Sequence, residues 1–377
     1  MPESSEAGLR FNSNELSSKS MAMRLVKRSG VNGRHAVWLF SSVICITGSG
    51  DIAAQDSQTT HAHSIAQTVT DEVPVVIARG GASGYLPEQT TEATVFAHAL
   101  GADDISLQVS LSKDGIPVVF HDQVLPTTST QSRKVADLTL AELRQLSVRP
   151  PMDSPAGRFP SDRGRFAIAT LEDHLQLIQG LNHSRHRTCG ICIKIGAAIK
   201  GQQTSTDDVR RVLEVLKSCG YQKQQDRASL MTDDEVLALA IRTELKCPLT
   251  MIQEFKVIPT PEQLQKTSRV ADIIALPLPL IVKTSDEGTH RLAEVVAAAH
   301  GLSLQVYVSP FATDRLPELG ETVESLLTRL VRDGGVDGVF TDQPDVVLQW
   351  RSERQGQRRA RTPFRLLNSQ SDSSDER

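Results

Sequence analysis

The sequence predicts an α/β fold, a closed TIM-type (β/α)8 barrel, and three observations point to it. Between 74 and 350, short apolar runs alternate with amphipathic stretches of helical period. Most of those runs lack strict in/out alternation, as strands covered on both faces do. The number of strand–helix units suits a sheet closed on itself. At 377 residues and 39% hydrophobic, the chain can bury one core of that size, or two ordinary ones.

The elements follow in order. Residues 1–54 read as a signal-like segment and 55–72 as a polar linker. Arg24, Lys27, Arg28 and Arg34 form a basic region, 36–46 is an apolar run, and small residues follow at 47–54. Charged, apolar, small is the order of a secretory signal, so the chain is expected to be exported, periplasmic or secreted. The alternative is a tail with a chance apolar patch. The apolar run is too short to span a bilayer, so no transmembrane span is expected in the mature chain. The barrel domain is expected over 73–350 and a disordered, Arg-rich tail over 351–377.

Within the domain, strands are expected at 75–78, 105–111, 117–120, 190–195, 228–231, 249–253, 273–276, 304–308 and 338–340. Helices are expected at 91–100, 139–146, 171–179, 207–218, 233–245, 261–267, 290–300 and 322–331, with Thr170, Thr232 and Thr260 as N-caps. Only Ser112-Lys113-Asp114-Gly115 separates the second and third strands. Asp-Gly favours a tight turn, so these two form a hairpin without a crossover helix. That makes nine strands for an eight-stranded barrel, with one peripheral. The proline-rich stretch 147–169 reads as an inserted loop.

Composition excludes some partners. A net charge of −4 offers no basic excess for nucleic acid, and 4% aromatic residues leave no base-stacking surface. Cys189-x-x-Cys192 has the spacing of a metal or redox pair, but on a strand residues three apart point to opposite faces. The reading is a pair of buried thiols.

The most specific signal is Ile77-Ala78-Arg79-Gly80-Gly81-Ala82-Ser83-Gly84-Tyr85-Leu86-Pro87-Glu88-Gln89-Thr90. Further on come Gly101-Ala102-Asp103-Asp104-Ile105-Ser106-Leu107-Gln108-Val109, Val118-Val119-Phe120-His121-Asp122 and Gly190-Ile191-Cys192-Ile193-Lys194-Ile195-Gly196. The run 335–345 closes the series with Phe340-Thr341-Asp342-Gln343-Pro344-Asp345. In this order they resemble the blocks of periplasmic glycerophosphodiester phosphodiesterases, I-A-H-R-G-A-S-G-Y-x-P-E, G-A-D-x-x-E-x-D-V, V-V-x-H-D, G-I-x-x-E-I-K and F-T-D-x-P-D. The resemblance implies a hydrolase of glycerol and lipid metabolism on the barrel of the phospholipase C-like phosphodiesterase superfamily.

The resemblance also implies a calcium or magnesium ion held by the E-x-D pair and the Glu of E-I-K, with two histidines as acid and base. Here those metal positions carry Ser106, Gln108 and Lys194, the first histidine is Arg79, and the phosphate-binding arginine is Gly80. No cofactor is therefore expected, calcium or magnesium being the alternative if the metal site survives. Arginine does not exchange protons near neutral pH. His121, the second family histidine, is the remaining catalytic candidate, set against a packing role. Arg79, Glu88 and Lys194 are the candidates for binding a small anionic phosphodiester or phosphate. Glu88 is alternatively a helix-start carboxylate, and Lys194 alternatively fills the metal's place and pairs with Glu88. The expected function is a phosphodiesterase-like binding protein with impaired or lost catalysis. The alternatives are an active enzyme that releases an alcohol and glycerol 3-phosphate through His121, and an altered lyase or transferase.

Overall fold

A computed structural model of the chain describes residues 73–120, 124–125, 133–148, 166–196, 204–282, 285–319 and 322–361. Its strands are β1 (Val75–Arg79), β2 (Asp104–Leu111), β3 (Pro117–Val119), β4 (Val124–Leu125), β5 (Arg133–Lys134), β6 (Gly190–Lys194), β7 (Ala228–Thr232), β8 (Thr250–Glu254), β9 (Ile273–Pro277), β10 (Gln305–Phe311) and β11 (Gly338–Thr341). Its helices are α1 (Thr91–Leu100), α2 (Leu140–Leu143), α3 (Leu171–Arg185), α4 (Thr206–Ser218), α5 (Glu235–Thr243), α6 (Pro261–Thr267), α7 (Leu278–Val282), α8 (Ser285–Gly301), α9 (Val323–Leu327) and α10 (Pro344–Arg361).

Nine strands form one sheet in the order β1-β11-β10-β9-β8-β7-β6-β2-β3, and β1 also pairs with β2. That pairing closes a barrel of parallel strands, with β3 outside it as the antiparallel partner of β2. β3 is thus the peripheral one of the nine expected strands. The tight turn forms as read: Gly115 N–H donates to Ser112 O at 2.8 Å and Ser112 N–H to Ile116 O at 3.0 Å.

Side-chain parity builds two layers. Ile77, Cys192, Met231, Ile252, Ala275, Tyr307 and Phe340 face one another inside the barrel. The alternate residues, among them Val76, Ile105, Ile193, Leu230 and Ile274, pack outward against helices. Cys189 and Cys192 accordingly enter different clusters, and burial pushes both thiols up to about 12. They are inert free thiols at neutral pH.

The N-terminal ends of the strands are held by a repeated device. An aspartate just before a strand accepts from a backbone N–H of the neighbouring strand: Asp103 from Val76 at 2.8 Å, Asp272 from Met251 at 2.8 Å, Asp337 from Val306 at 2.7 Å. Each also holds a basic side chain, Arg351, Arg242 and His300 respectively.

Several expectations need correction. The chain from Arg351 to Arg361 is not a loose tail but the end of α10. Trp350 is buried, and Arg351 binds both oxygens of Asp103, at 2.5 and 3.2 Å. α5 is capped by Asp234, which accepts from Val236 and Leu237, because Thr232 is used in turning the chain at Asp234 N–H. Thr170 and Thr260 cap α3 and α6 as expected. α7 was not among the expected helices; its Pro279 sits in the first turn, where no N–H bond is lost. Val148 and Phe166 pair across the base of the proline-rich insertion, whose residues 149–165 lie outside the described residues. So do the signal-like segment, the linker and 362–377. No helix among the described residues is long and apolar enough to cross a membrane.

Candidate functional site

The C-terminal ends of the strands form the barrel mouth, the end where sites form in this architecture. Inward parity brings Arg79 from β1, Ser106 and Gln108 from β2, Lys194 from β6 and Glu254 from β8 to this end. Arg79 stands level with Ser106, and Gln108 level with Lys194. Asp342 follows directly on β11, whose Thr341 pairs with Ala78.

Arg79 is bound by carboxylates. Its Nε donates to Asp342 Oδ1 at 2.7 Å and its Nη2 to Asp342 Oδ2 at 3.1 Å. Nη1 lies 3.6 Å from Glu88 Oε2. Burial works against the guanidinium charge, but Asp342, with smaller help from Glu88 and Glu254, outweighs it and holds Arg79 above its ordinary value. The group is a permanent cation. Lys194 Nζ lies 2.6 Å from Glu254 Oε2. Lys256 on the rim pairs with Asp233 at 2.6 Å.

The loop between β1 and α1 carries Glu88. It is laid down by backbone bonds: Gly80 N–H donates to Ser106 O, Gln89 N–H to Gly80 O, each at 2.8 Å, and Gly84 N–H to Asp342 O at 2.9 Å. Gln89 Oε1 accepts from Gln108 N–H at 3.0 Å, tying the loop to β2. Thr90, not Glu88, caps α1 by accepting from Ala93 N–H. Glu88 is turned to Arg79 instead.

Of the expected site residues, Arg79, Glu88, Ser106, Gln108 and Lys194 all gather at the mouth. His121 lies outside the described residues; the chain reaches Phe120, whose N–H donates to Gln108 O at 2.9 Å. Other described histidines lie elsewhere: His98 and His174 are buried, with Asn182 on α3 and Thr94 on α1 as their respective partners, His183 and His186 end α3, His290 is in α8, and His300 is at the opposite face. The expected alternative of a Lys194–Glu88 pair is corrected: Lys194 pairs with Glu254. The reason is reach, since Glu254 ends β8 only one strand beyond β7, which neighbours Lys194. Glu254 and Asp342 had no role in the sequence reading. Glu254 fell one residue past the expected end of its strand; extending the in/out parity from Ile252 would have found it.

Comparison with known proteins identifies the lineage. A family model described as the glycerophosphoryl diester phosphodiesterase family matches residues 80–346. The chain belongs to that family. Among similar members is the glycerophosphodiester phosphodiesterase of Haemophilus influenzae, 27% identical over 340 residues, covering 77% of this chain and 93% of that one. Another, from Treponema pallidum, is 26% identical over 324 residues, covering 73% of this chain and 91% of that one. Among solved structures, a glycerophosphoryl diester phosphodiesterase from Silicibacter pomeroyi superposes with a TM-score of 0.58 at 21% identity, covering 75% of this chain and 95% of that one. An Oleispira antarctica phosphodiesterase, solved with the product sn-glycerol-3-phosphate, gives 0.55 at 20% identity, covering 74% of this chain and 96% of that one.

For a glycerophosphoryl diester phosphodiesterase the donor set is unusual. A divalent cation of the calcium or magnesium class takes hard oxygen ligands, with carboxylates supplying the charge. At the corresponding positions stand a hydroxyl (Ser106), an amide (Gln108) and an ammonium (Lys194) already joined to Glu254. Among the described residues no group of three acidic, histidine or cysteine side chains is placed to hold a metal ion.

Proposed function

We propose that this family member binds an anionic glycerophospho-group at its mouth without a resident metal, and hydrolyses it poorly or not at all. The observation that carries the reading is the Lys194–Glu254 ion pair, at 2.6 Å, beside Gln108 where the resemblance places the cation. Arg79, in place of the first family histidine, cannot serve as acid or base near neutral pH. Loss of one positioned proton-transfer group removes about 10²–10⁴-fold in rate, before any loss of metal activation is counted.

Binding has support of its own. The Arg79 side chain is 30% exposed and that of Lys194 24%, so both cations reach solvent at the mouth. Glu88 holds Arg79 by the longest of its contacts and is the partner a phosphate would displace, with Nη1 then turned to the ligand. The product complex of the Oleispira protein supplies the ligand class. We place this binding outside the cytoplasm, on the leader-like order of 24–54.

The test is a glycerophosphocholine hydrolysis assay on the purified chain with calcium, with magnesium and with chelator, together with thermal unfolding in sn-glycerol 3-phosphate. The expected result is no metal-dependent turnover, and a stabilisation of about 2.7 kcal/mol at a hundredfold excess over Kd. Chelator-sensitive turnover abolished by His121→Ala would overturn the reading and establish an active phosphodiesterase. No stabilisation by glycerol phosphate would remove the binding role.

A further inference from the structure

We propose that a second anion subsite lies beside the mouth, in the cleft between the β2–β3 hairpin and α4, and that it takes a phosphate carried on the alcohol of a glycerophosphodiester. The proposal rests on the mouth taking the glycerophospho-group. The cleft has a volume of about 310 Å³, and Gln108 and Gly196 form part of its wall. It therefore adjoins the mouth at Gln108, which stands level with Lys194.

Its charge is predominantly positive. Lys113 from the hairpin turn, Lys134 from β5 and Arg211 from α4 all line it. The acid in the lining, Asp208, is engaged in capping α4, where it accepts from Ser205 N–H at 2.9 Å. Among the described residues no carboxylate forms an ion pair with any of the three cations. The mouth is the opposite case, since Arg79 and Lys194 are each joined to an acid. Arg211 has a place made for it: a Cβ at Gly115, where φ is +74°, would sit 2.5 Å from Arg211 Nη1. The residue that makes the turn also leaves room for the guanidinium over it.

Three cations against one acid leave the cleft with a net positive charge, and an anion there lowers its energy. A choline or ethanolamine headgroup, itself cationic, would raise it. The geometry therefore favours diesters whose alcohol bears a further phosphate, with the glycerophospho-end at Arg79 and the second phosphate at Arg211.

The test uses calorimetric titration of the full chain with three probes: sn-glycerol 3-phosphate, glycerophosphocholine, and glycerophosphoinositol phosphate. The last should bind about tenfold more tightly than glycerophosphocholine, the return expected of two or three solvent-screened charge contacts. Arg211→Gln with Lys134→Gln should abolish that preference while sn-glycerol 3-phosphate still binds, and Lys113→Glu, a single exposed change, should reduce it on an intact fold. Equal affinity of the two diesters in the wild type, or a preference that survives the double change, overturns the subsite. If sn-glycerol 3-phosphate does not bind but glycerophosphoinositol phosphate does, and the double change abolishes it, the cleft stands and the reading of the mouth falls. Failure of all three probes to bind overturns both.

Discussion

Lys194 on β6 and Glu254 on β8 meet over the end of the strand between them, with Nζ 2.6 Å from Oε2. Lys194 stands level with Met231, Met231 with Ile252, and Glu254 lies two residues further on the same face. At 24% and 19% side-chain exposure the pair contributes only about 1 kcal/mol of stability. Its larger effect is on what the mouth can hold, because an ammonium fixed there repels any metal cation.

Restoring acids should restore cation affinity. Lys194→Glu with Ser106→Glu and Gln108→Asp places three new carboxylates beside Glu254, which loses its partner. The triple variant should be less stable than wild type without metal, through like-charge repulsion, and should gain about 2.7 kcal/mol with calcium at a hundredfold excess over Kd. Wild type should show no such gain. Thermal unfolding with and without calcium reads both; a folded variant indifferent to calcium would mean the metal position has been misplaced.

Asp342→Asn should be the costliest single change at the mouth. Asp342 is 1% exposed and holds Arg79 through two oxygens. Removing its charge leaves a partly buried guanidinium with only the weaker support of Glu88 and Glu254, a loss of about 3 kcal/mol. Arg79→Leu with Asp342→Asn should recover part of it, because neither charge is then left alone. Urea unfolding of the three proteins decides the point, and equal stability of the single and double variants would count against it.

Gly81→Ala should unfold the loop that presents Glu88. Gly81 has φ +84°, and a Cβ there would lie 2.6 Å from Ala93 C and 2.7 Å from Ala93 O. Both are backbone atoms in α1, so neither can swing aside. Strain and overlap together should cost about 3 kcal/mol or more. The readout is the melting temperature, which should fall by about 6 °C or more in a domain of this size.

Stability should decline in mild acid. His174 is fully buried against Thr94, and burial, partly opposed by Asp173, pushes its imidazole from 6.5 down to about 4. The folded chain keeps it neutral while the unfolded chain binds a proton below pH 6.5. The stability it contributes is therefore complete above pH 6.5 and is lost as pH falls towards 4, by about 3 kcal/mol in all. His98 is shifted down as well, first by its burial and against its bond to Asn182, and acts in the same direction. Denaturation at pH 7.5 and pH 5 should show the decline, and His174→Gln should flatten it. An unchanged slope in that variant would sink the assignment.

The barrel was legible because its signals are local and repeated. Each strand needs only a short apolar run, and each was placed within a few residues of where it lies. The Asp114-Gly115 turn marked the hairpin, and the closed sheet shows that its second strand is the one outside the ring. The site was legible only in part. Arg79, Ser106, Gln108 and Lys194 stood out because motif positions number them directly. Their partners did not, because the Lys194–Glu254 pair spans sixty positions in sequence and the Arg79–Asp342 pair more than two hundred and sixty. Such pairs are set by how strands neighbour one another around the closed sheet. The helical run to Arg361 was hidden for a related reason: its polar composition resembles a tail until Asp103 is seen receiving Arg351.

The aspartates that grip neighbouring strands, Asp103, Asp272 and Asp337, sit at the far end from the mouth. Their hold on the architecture makes no demand on which side chains line the opening. A lineage built this way can exchange its acids for cations at one pole while the other pole keeps the cylinder shut, so chemistry and shape are free to drift apart within a single chain.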